Sequence, residues 1–254
     1  MINTKNIQDI ANSLRRDVLK MTTAAGSGHP SSCLSCAEIV ASLFFKEMKY
    51  DLKNAENPDN DEFVLSKGHA APILYSALFR AGAIKDDLMK LRKFESNLEG
   101  HPIPKSMGWA KVATGSLGQG LSVGAGMALA GKMQERKFRT YVLLGDSEMA
   151  EGAKYEAMQL AAHYKLDNLC VVVDVNRLGQ RGETMHGWKT NDYKKIFESF
   201  GWNAIIVDGH DAGELIKAFA EARKSKKPSA VIAMTVKGKG VSFVENKEGW
   251  HGRA

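Results

Sequence analysis

Two apolar runs that each end in a polar side chain constrain this chain more than any other feature. Asp146 follows the run from Tyr141 to Leu144, and Asn176 follows the run from Leu169 to Val173. Between them, apolar residues recur at helical spacing, at positions 157, 160, 161 and 164. The pattern predicts two parallel strands joined by a helix, which places Asp146 and Asn176 at the same edge of a sheet.

Oxygen ligands at one sheet edge, beside the N-terminus of a helix, suit a hard cation that carries a phosphate group. The alternative is an ordinary strand–helix–strand unit in which Asp146 and Asn176 occupy turns, where both residue types are common. This segment by itself is compatible with both interpretations.

The rest of the chain continues the alternation of strands and helices. Further strands are predicted at 61–65, 204–207 and 230–234. Helices are predicted at 6–24, 35–48, 70–81, 118–134 and 211–224, the last with Asp211 and Glu214 as a capping box. Loops are predicted at 26–32 and 93–116. Continuous apolar strands are typical of a parallel sheet covered on both faces. We therefore predict an α/β fold with a doubly wound, mainly parallel sheet, in a single domain spanning residues 1–254.

Composition excludes several classes of protein. No apolar stretch reaches the roughly 18 residues that span a bilayer, and the N-terminus lacks the apolar region of a signal peptide, so we expect a cytoplasmic protein with no membrane partner. The net charge is +6, but the basic residues are scattered, and we expect no nucleic-acid partner. Cys33 and Cys36 form a single Cys-x-x-Cys, which excludes a four-cysteine zinc site and favours buried thiols.

Four of the seven histidines lie in loops that contain glycine. They are His29 in Ser-Gly-His-Pro, His69 in Ser-Lys-Gly-His, His101 in Glu-Gly-His-Pro and His251 in Trp-His-Gly. Glycine lets a ligand approach the backbone closely, and imidazole donates hydrogen bonds or transfers protons near pH 7. The set indicates a binding or catalytic site.

Together these segments resemble the transketolases, a family of thiamine diphosphate-dependent enzymes. The resemblance covers Gly-Asp-x at 145–147 and, about thirty residues later, Asp-x-Asn-Arg-Leu-Gly-Gln at 174–180. It also covers Thr-Gly-Ser-Leu-Gly-Gln-Gly at 114–120, Tyr-Lys-Leu-Asp-Asn-Leu at 164–169 and the closing Lys-Gly-Lys-Gly and Trp-His-Gly segments. It runs from about residue 8 to residue 253. One departure is Ser147, which stands where the family has a second glycine.

The resemblance implies a metal site and a cofactor site. Mg²⁺, with Ca²⁺ or Mn²⁺ as substitutes, would be held by the side chains of Asp146 and Asn176, the backbone carbonyl of Leu178 and the diphosphate oxygens. Thiamine diphosphate would be bound by residues from several loops, namely His69, Gly115, Leu117, Gly145, Asp146, Ser147, Glu151, Asn176 and His251. Among these, Gly115 and Leu117 would contact the aminopyrimidine through backbone groups, and Glu151 would lie near a subunit interface.

The resemblance also implies catalytic roles for His29, His101 and His251. His29 and His101 would face the hydroxyl groups of the substrate and the reacting carbon. His163, His186 and His210 match no ligand position of the family, and we expect them to be structural or exposed.

The implied activity is the transfer of a two-carbon ketol (glycolaldehyde) unit from a ketose phosphate to an aldose phosphate, as in the pentose phosphate pathway. Family members continue into a pyrimidine-binding domain beyond the position of Arg253, so we expect a C-terminal transketolase subunit as partner, an α2β2 complex, and activity only with that partner. We favour a natural subunit of a split transketolase over a truncated fragment. The alternatives are a split enzyme acting on an unusual sugar or sulfo-sugar, and a non-catalytic cofactor-binding or regulatory subunit, which Ser147 alone favours.

Overall fold

The computed structural model describes residues 4–254, so residues 1–3 of the predicted domain lie outside the described part. Five strands form one sheet in the order β1-β2-β3-β5-β4, and every neighbouring pair is parallel. The strands are β1 (Glu62–Leu65), β2 (Thr140–Gly145), β3 (Leu169–Val175), β4 (Asn203–Asp208) and β5 (Ser229–Met234). The predicted strands are therefore all present, with slightly different ends.

The α-helices of residues 4–254 cover the sheet. In chain order they are α1 (Thr4–Ala25), α2 (Pro30–Leu34), α3 (Ala37–Ser42), α4 (Ala71–Ala81), α5 (Gln119–Met133), α6 (Gly152–His163), α7 (Thr190–Ser199) and α8 (Ala212–Lys224). Within this part of the chain, no helix is long and apolar enough to cross a membrane.

Side chains of the central strands alternate between two cores, one on each face of the sheet. Along β2, Tyr141 and Leu143 join the core formed with α1, α3, α4 and α8, whereas Val142 and Leu144 join the core formed with α5, α6 and α7. Because both faces of the central strands β2, β3 and β5 are buried, these strands appear in the sequence as continuous apolar runs. The predicted doubly wound α/β fold is confirmed.

The segment 26–48 differs from its prediction. The predicted loop at 26–32 ends at His29, because Pro30 begins α2, and proline suits the first turn of a helix, where its missing N–H is not needed. The segment predicted as one helix at 35–48 instead contains a turn at 35–36, then α3, then a π-helical turn at Leu43–Glu47.

The capping box predicted for α8 forms only in part. Asp211 Oδ1 accepts hydrogen bonds from the backbone N–H groups of Gly213 and Glu214, at 2.6 and 3.0 Å. The carboxylate of Glu214 accepts from the N–H of Asp208, at 2.8 Å, instead of from the N–H of Asp211. The helix begins where predicted, but the reciprocal bond reaches three residues further back.

The carboxyl ends of four strands lie side by side and position the candidate site. Gly145 is paired with Asp174, and Asp174 with Ala233, so the segments that follow β2, β3 and β5 emerge at the same edge. The segment that follows β1 emerges beside them, because β1 pairs with β2. The prediction that Asp146 and Asn176 share one edge is thus confirmed.

Candidate cofactor site

The loops that carry Asp146 and Asn176 are joined directly. Asp146 Oδ2 accepts a hydrogen bond from the N–H of Arg177 at 2.6 Å, and its Oδ1 accepts from the N–H of Ser147 at 2.8 Å. Arg177 has a φ of +64°, in the left-handed region that non-glycine residues seldom occupy. Both Asp146 and Asn176 are buried, each with 4% of its surface exposed.

The carboxylate of Asp146 is held in an environment that disfavours its charge. Burial raises its pKa to about 7, and the negative charge of Asp174 acts in the same direction. No side-chain cation forms an ion pair with Asp146 in the described part of the chain. A cation placed next to this group would therefore restore the ionised form.

Asn176 is hydrogen-bonded to a buried ion pair between Asp174 and Lys67. Asp174 accepts hydrogen bonds from Asn176 Nδ2 at 3.1 Å, from Ser35 Oγ at 2.6 Å, from Thr235 Oγ1 and from Lys67 Nζ. Burial alone would raise the pKa of Asp174, but Lys67 overrides it and holds the pKa below its ordinary value. Because Asn176 Nδ2 is engaged with Asp174, its amide oxygen is left to face the loop, where it accepts from the N–H of Leu178 at 3.2 Å.

Lys237 links the carbonyl of Leu178 to the histidines. Its Nζ donates to the carbonyl oxygens of Leu178 at 2.6 Å and Gly179 at 3.2 Å, and lies 3.0 Å from Nδ1 of His251. Since a lysine ammonium can only donate, His251 Nδ1 is the acceptor and Nε2 carries the ring proton. Burial lowers the pKa of Lys237 to about 8.

Three histidines predicted from separate loops meet at this edge. The ring centroid of His29 lies 5.0 Å from those of both His69 and His251, and the latter two are 5.2 Å apart. Burial lowers the pKa of His29 and of His251 to about 4, with further contributions from Arg92 to the first and Lys237 to the second. The rings are therefore neutral near pH 7. His29 Nδ1 is buried and has no hydrogen-bond partner among residues 4–254.

His101 lies close to the cluster, and glycines make the approach of its loop possible. A Cβ on Gly115, whose φ is +144°, would lie 2.8 Å from Cδ2 of His101. A Cβ on Gly68 would lie 2.6 Å from the backbone of Thr114. The glycines beside the histidines thus allow the loops to pack on each other, a role that their sequence context alone did not distinguish from ligand approach.

The remaining predicted residues take different positions. Leu117 is half-buried in the loop before α5, and Gly145 is the last residue of β2. Glu151 is the exposed N-cap residue of α6, and its Cβ would lie 2.8 Å from a Cβ on Gly118. Ser147 is exposed, has a negative φ, and begins a 3-10 turn, so the serine causes no backbone strain at the position where the family has glycine.

A cavity of about 240 Å³ lies between the segments that follow β2 and β3. Asp146, Ser147 and Met149 line one side, and Gly179 and Gln180 line the other. Among residues 4–254, no group of three or more His, Cys, Asp or Glu side chains could hold a metal ion. A metal here would need a mixed set of carboxylate, amide and carbonyl oxygens, completed by ligand atoms.

Several residues that shape the site were not assigned from the sequence. They are Arg92, Lys67, Asp174, Glu148 and Lys237. Arg92 has a φ of +58° and donates to Ser27 Oγ at 3.0 Å. Burial lowers the pKa of His101, and the positive charge of Arg92 lowers it further. Lys67, Asp174 and Lys237 lie inside the family motifs at 66–69, 174–180 and 237–240. Membership of those motifs is the sequence signal that could have identified them.

The other three histidines lie apart from the cluster, whereas Cys33 lies beside it, since its N–H donates to the carbonyl of His29 at 3.3 Å. His163 is exposed, and His186 packs against Tyr193. His210 is structural: Nε2 accepts from the N–H of Val236 at 3.0 Å and Nδ1 lies 3.0 Å from Glu38 Oε2. The three cysteines are buried and free, as Cys33 and Cys36 were predicted to be.

Comparison with known proteins identifies the family. Residues 6–254 match the family profile described as transketolase, thiamine diphosphate binding domain. The transketolase of Homo sapiens is 52% identical over 249 residues, which are 97% of this chain and 40% of that protein. Transketolase-like protein 1 of Macaca fascicularis is 39% identical and is covered over 35% of its length.

Solved structures agree with the sequence comparison. The transketolase of Campylobacter jejuni superposes with a TM-score of 0.92 at 35% identity, over 99% of this chain and 41% of that chain. The transketolase of Leishmania mexicana gives a TM-score of 0.90 at 31% identity, over 97% of this chain and 39% of that one. Fold and matches together define a thiamine diphosphate-binding domain of the α/β class. The chain belongs to the transketolase family, as its N-terminal domain, and spans about 40% of the length of the curated relatives it matches.

Proposed function

We propose that this chain is the diphosphate-binding half of a transketolase that transfers a two-carbon ketol unit from a ketose phosphate to an aldose phosphate. The observation that carries the proposal is the meeting of the histidine cluster with the Asp146–Asn176–Leu178 oxygen set at one sheet edge. The transketolase of Pichia stipitis, 33% identical over 97% of this chain, has been solved with sedoheptulose-7-phosphate, which supports a sugar phosphate as substrate.

Mg²⁺ is the metal we propose, with Ca²⁺ or Mn²⁺ as substitutes. Asp146 and Asn176 would supply side-chain oxygens, and Leu178 would supply its carbonyl; diphosphate oxygens and water would complete the shell. The residues present fit this group, because Asp146 is a buried carboxylate with a raised pKa, which a divalent cation would stabilise as an anion. Lys237 donates to the same Leu178 carbonyl, so this oxygen already accepts from a cationic group.

The histidines are proposed to act as neutral hydrogen-bonding groups. His69 and His251 would contact the diphosphate, and His251 would donate through Nε2, because Lys237 engages Nδ1. His29 and His101 would orient the sugar hydroxyls and move protons at them; the unpartnered Nδ1 of His29 is free for this. When bound, thiamine diphosphate supplies the nucleophilic carbon and accepts the electron pair released by carbon–carbon cleavage.

Backbone groups would hold the rest of the cofactor. Gly115 and Leu117 would contact the aminopyrimidine, and Gly145 and Ser147 would lie beside the diphosphate, with Ser147 Oγ as an added donor. Glu151 would lie at the subunit interface, in agreement with its exposure at the start of α6.

A partner chain with the pyrimidine-binding domain is proposed because this chain covers only the first part of its relatives' fold. An apolar surface supports the proposal: Leu160 is 55% exposed and Tyr164 48% exposed, beside a groove of about 330 Å³ that Ala125, Gly126 and Leu129 of α5 complete. Most residues of α5 are apolar or small, with few polar side chains, and a helix of that composition is usually buried. Two copies of each chain, an α2β2 complex, would give two sites by closed symmetry.

The test is a ketol-transfer assay with the chain alone, the partner alone and both together. We expect turnover only from the mixture. The substrates we propose are sugar phosphates of the pentose phosphate pathway, and the location we propose is the cytoplasm. Asp146→Ala in the mixture is the matched control for metal-dependent turnover. Robust turnover by the 254-residue chain alone would contradict the need for a partner, and no turnover with any ketose phosphate would contradict the activity.

The alternatives stay testable in the same assay. A panel of unusual sugars and sulfo-sugars tests the substrate class. A non-catalytic subunit would bind thiamine diphosphate without turnover in any mixture. The favouring feature for that alternative was Ser147, and its strain-free backbone removes one reason to regard it as disabling.

A further inference from the structure

A second buried carboxylate, Glu148, lies beneath the candidate site and has no assigned role. It is 0% exposed and belongs to the 3-10 turn Ser147–Ala150 that follows β2. Its Oε1 accepts from Ser66 Oγ, from the N–H of Gly118 at 3.1 Å and from Lys154 Nζ at 2.6 Å. Its Oε2 accepts from the N–H of Gly145 at 3.1 Å.

The donors to Glu148 come from separate segments of the chain. Ser66 follows β1 and lies three residues before His69. Gly118 ends the loop that carries Gly115 and Leu117. Gly145 ends β2 and precedes Asp146. One side chain therefore joins the segments that lead to three parts of the proposed cofactor site.

Lys154 neutralises Glu148, and among the described residues its ammonium hydrogen-bonds to no other side chain. Lys154 is 0% exposed, on α6, and its ammonium forms a hydrogen bond and an ion pair with Glu148. A buried carboxylate is tolerated only when it is paired and fully hydrogen-bonded, and here two backbone amides, a hydroxyl and an ammonium satisfy it. Close packing also restricts rearrangement, because a Cβ on Gly120 would lie 2.3 Å from Ser66 Oγ.

We propose that Glu148 is a positioning residue of the cofactor site and that Lys154 is its counterion. Glu148 holds the segments of His69, Gly115–Leu117 and Asp146 in the arrangement that a diphosphate with its metal requires, without touching the ligand itself. The inference rests on the proposed function for the identity of that ligand. The tie between the segments is a property of the chain alone and is tested separately.

The experiment combines hydrogen exchange with ligand titration on the 254-residue chain. Glu148→Met keeps the side-chain length and removes every acceptor, whereas Glu148→Gln keeps one oxygen. Glu47→Gln is the matched control, because Glu47 is another buried carboxylate, at the end of the π-helical turn Leu43–Glu47. It accepts from Tyr141 Oη at 2.8 Å and from Arg223, and Tyr141 lies at the start of β2, at the opposite end of the strand from the site. Exchange is followed by mass spectrometry in peptides covering 114–120, 140–148 and, for reference, 229–234.

In Glu148→Met we expect exchange at 114–120 and at the end of 140–148 to rise at least tenfold, with 229–234 unchanged. Mg²⁺ with inorganic pyrophosphate, a probe that needs no pyrimidine-binding partner, should bind about 10–100-fold more weakly, as for other residues that orient metal ligands. Glu148→Gln should be intermediate in both measurements. Glu47→Gln should lower Tm and change neither the loop exchange nor the affinity.

Wild-type exchange in both loops of Glu148→Met would overturn the proposal, as would an equal rise in every peptide, which marks a purely structural role. If Glu148→Met does not fold, the comparison of Glu148→Gln with Glu47→Gln decides in the same way. If the wild-type chain binds neither Mg²⁺–pyrophosphate nor Mg²⁺–thiamine diphosphate, the exchange measurements still decide whether Glu148 ties the loops. Binding is then measured in the mixture with the partner chain, and no binding there overturns the proposed function.

Discussion

Replacing Asp174 by Asn should destabilise the whole chain strongly. Asp174 and Lys67 form an ion pair with 0% and 2% of their side chains exposed. Asp174→Asn keeps the shape of the side chain but leaves the ammonium of Lys67 buried without a counter-charge. Breaking one partner out of a buried pair costs about 3–5 kcal/mol. At ~2–4 °C per kcal/mol for a chain of this size, Tm should fall by about 6–20 °C.

The measurement is urea denaturation followed by tryptophan fluorescence, with Tm from calorimetry. Asp59→Asn is the control, since Asp59 is paired with Arg136 at the surface, with 69% and 36% of the side chains exposed. An exposed pair contributes about 0–1 kcal/mol. Adding Lys67→Met to Asp174→Asn should restore part of the loss, because the unpaired cation is removed. A loss in Asp174→Asn no larger than that in Asp59→Asn would refute the reasoning.

Three further predictions concern the site. Asp146→Ala should abolish calorimetric binding of thiamine diphosphate with Mg²⁺ to the reconstituted complex, and unchanged affinity would contradict the metal assignment. His29→Ala or His101→Ala should lower kcat/KM about 10²-fold with cofactor affinity nearly unchanged; lost cofactor binding with normal kcat at saturation would reverse the roles. Acidification should also destabilise the chain. The pKa of His251 is about 4 when folded and 6.5 as a reference, so its stabilising contribution is present above pH 6.5 and is lost as the pH falls towards 4. The raised pKa of Asp146 acts in the opposite direction up to about pH 7. The slope of the unfolding free energy against pH is therefore compared between the wild type and His251→Gln, and between pH 6.5 and 4 the two slopes should differ. Equal slopes would contradict the lowered pKa of His251.

The strands, the surrounding helices and the shared edge of Asp146 and Asn176 could be predicted because they depend on local periodicity. Apolar runs bounded by polar residues identify parallel strands, and the parallel direction alone puts the residues after each strand at one edge. Helix ends were less predictable. The break between α2 and α3 has no glycine or proline inside it, and so no local signal marks it.

The four glycine-flanked histidines show the limit between the two kinds of information. The sequence by itself determined their residue types and loop contexts, and the fold class that would bring loops to one edge. Only the tertiary structure decided that the ring centroids of His29, His69 and His251 lie about 5 Å from each other and that burial lowers their pKa values. Lys67 and Asp174 are 107 residues apart, and Ser66 and Glu148 are 82 apart, so no local pattern pairs them. Burial, which makes these pairs strong and shifts their pKa values, arises only when distant segments exclude water together.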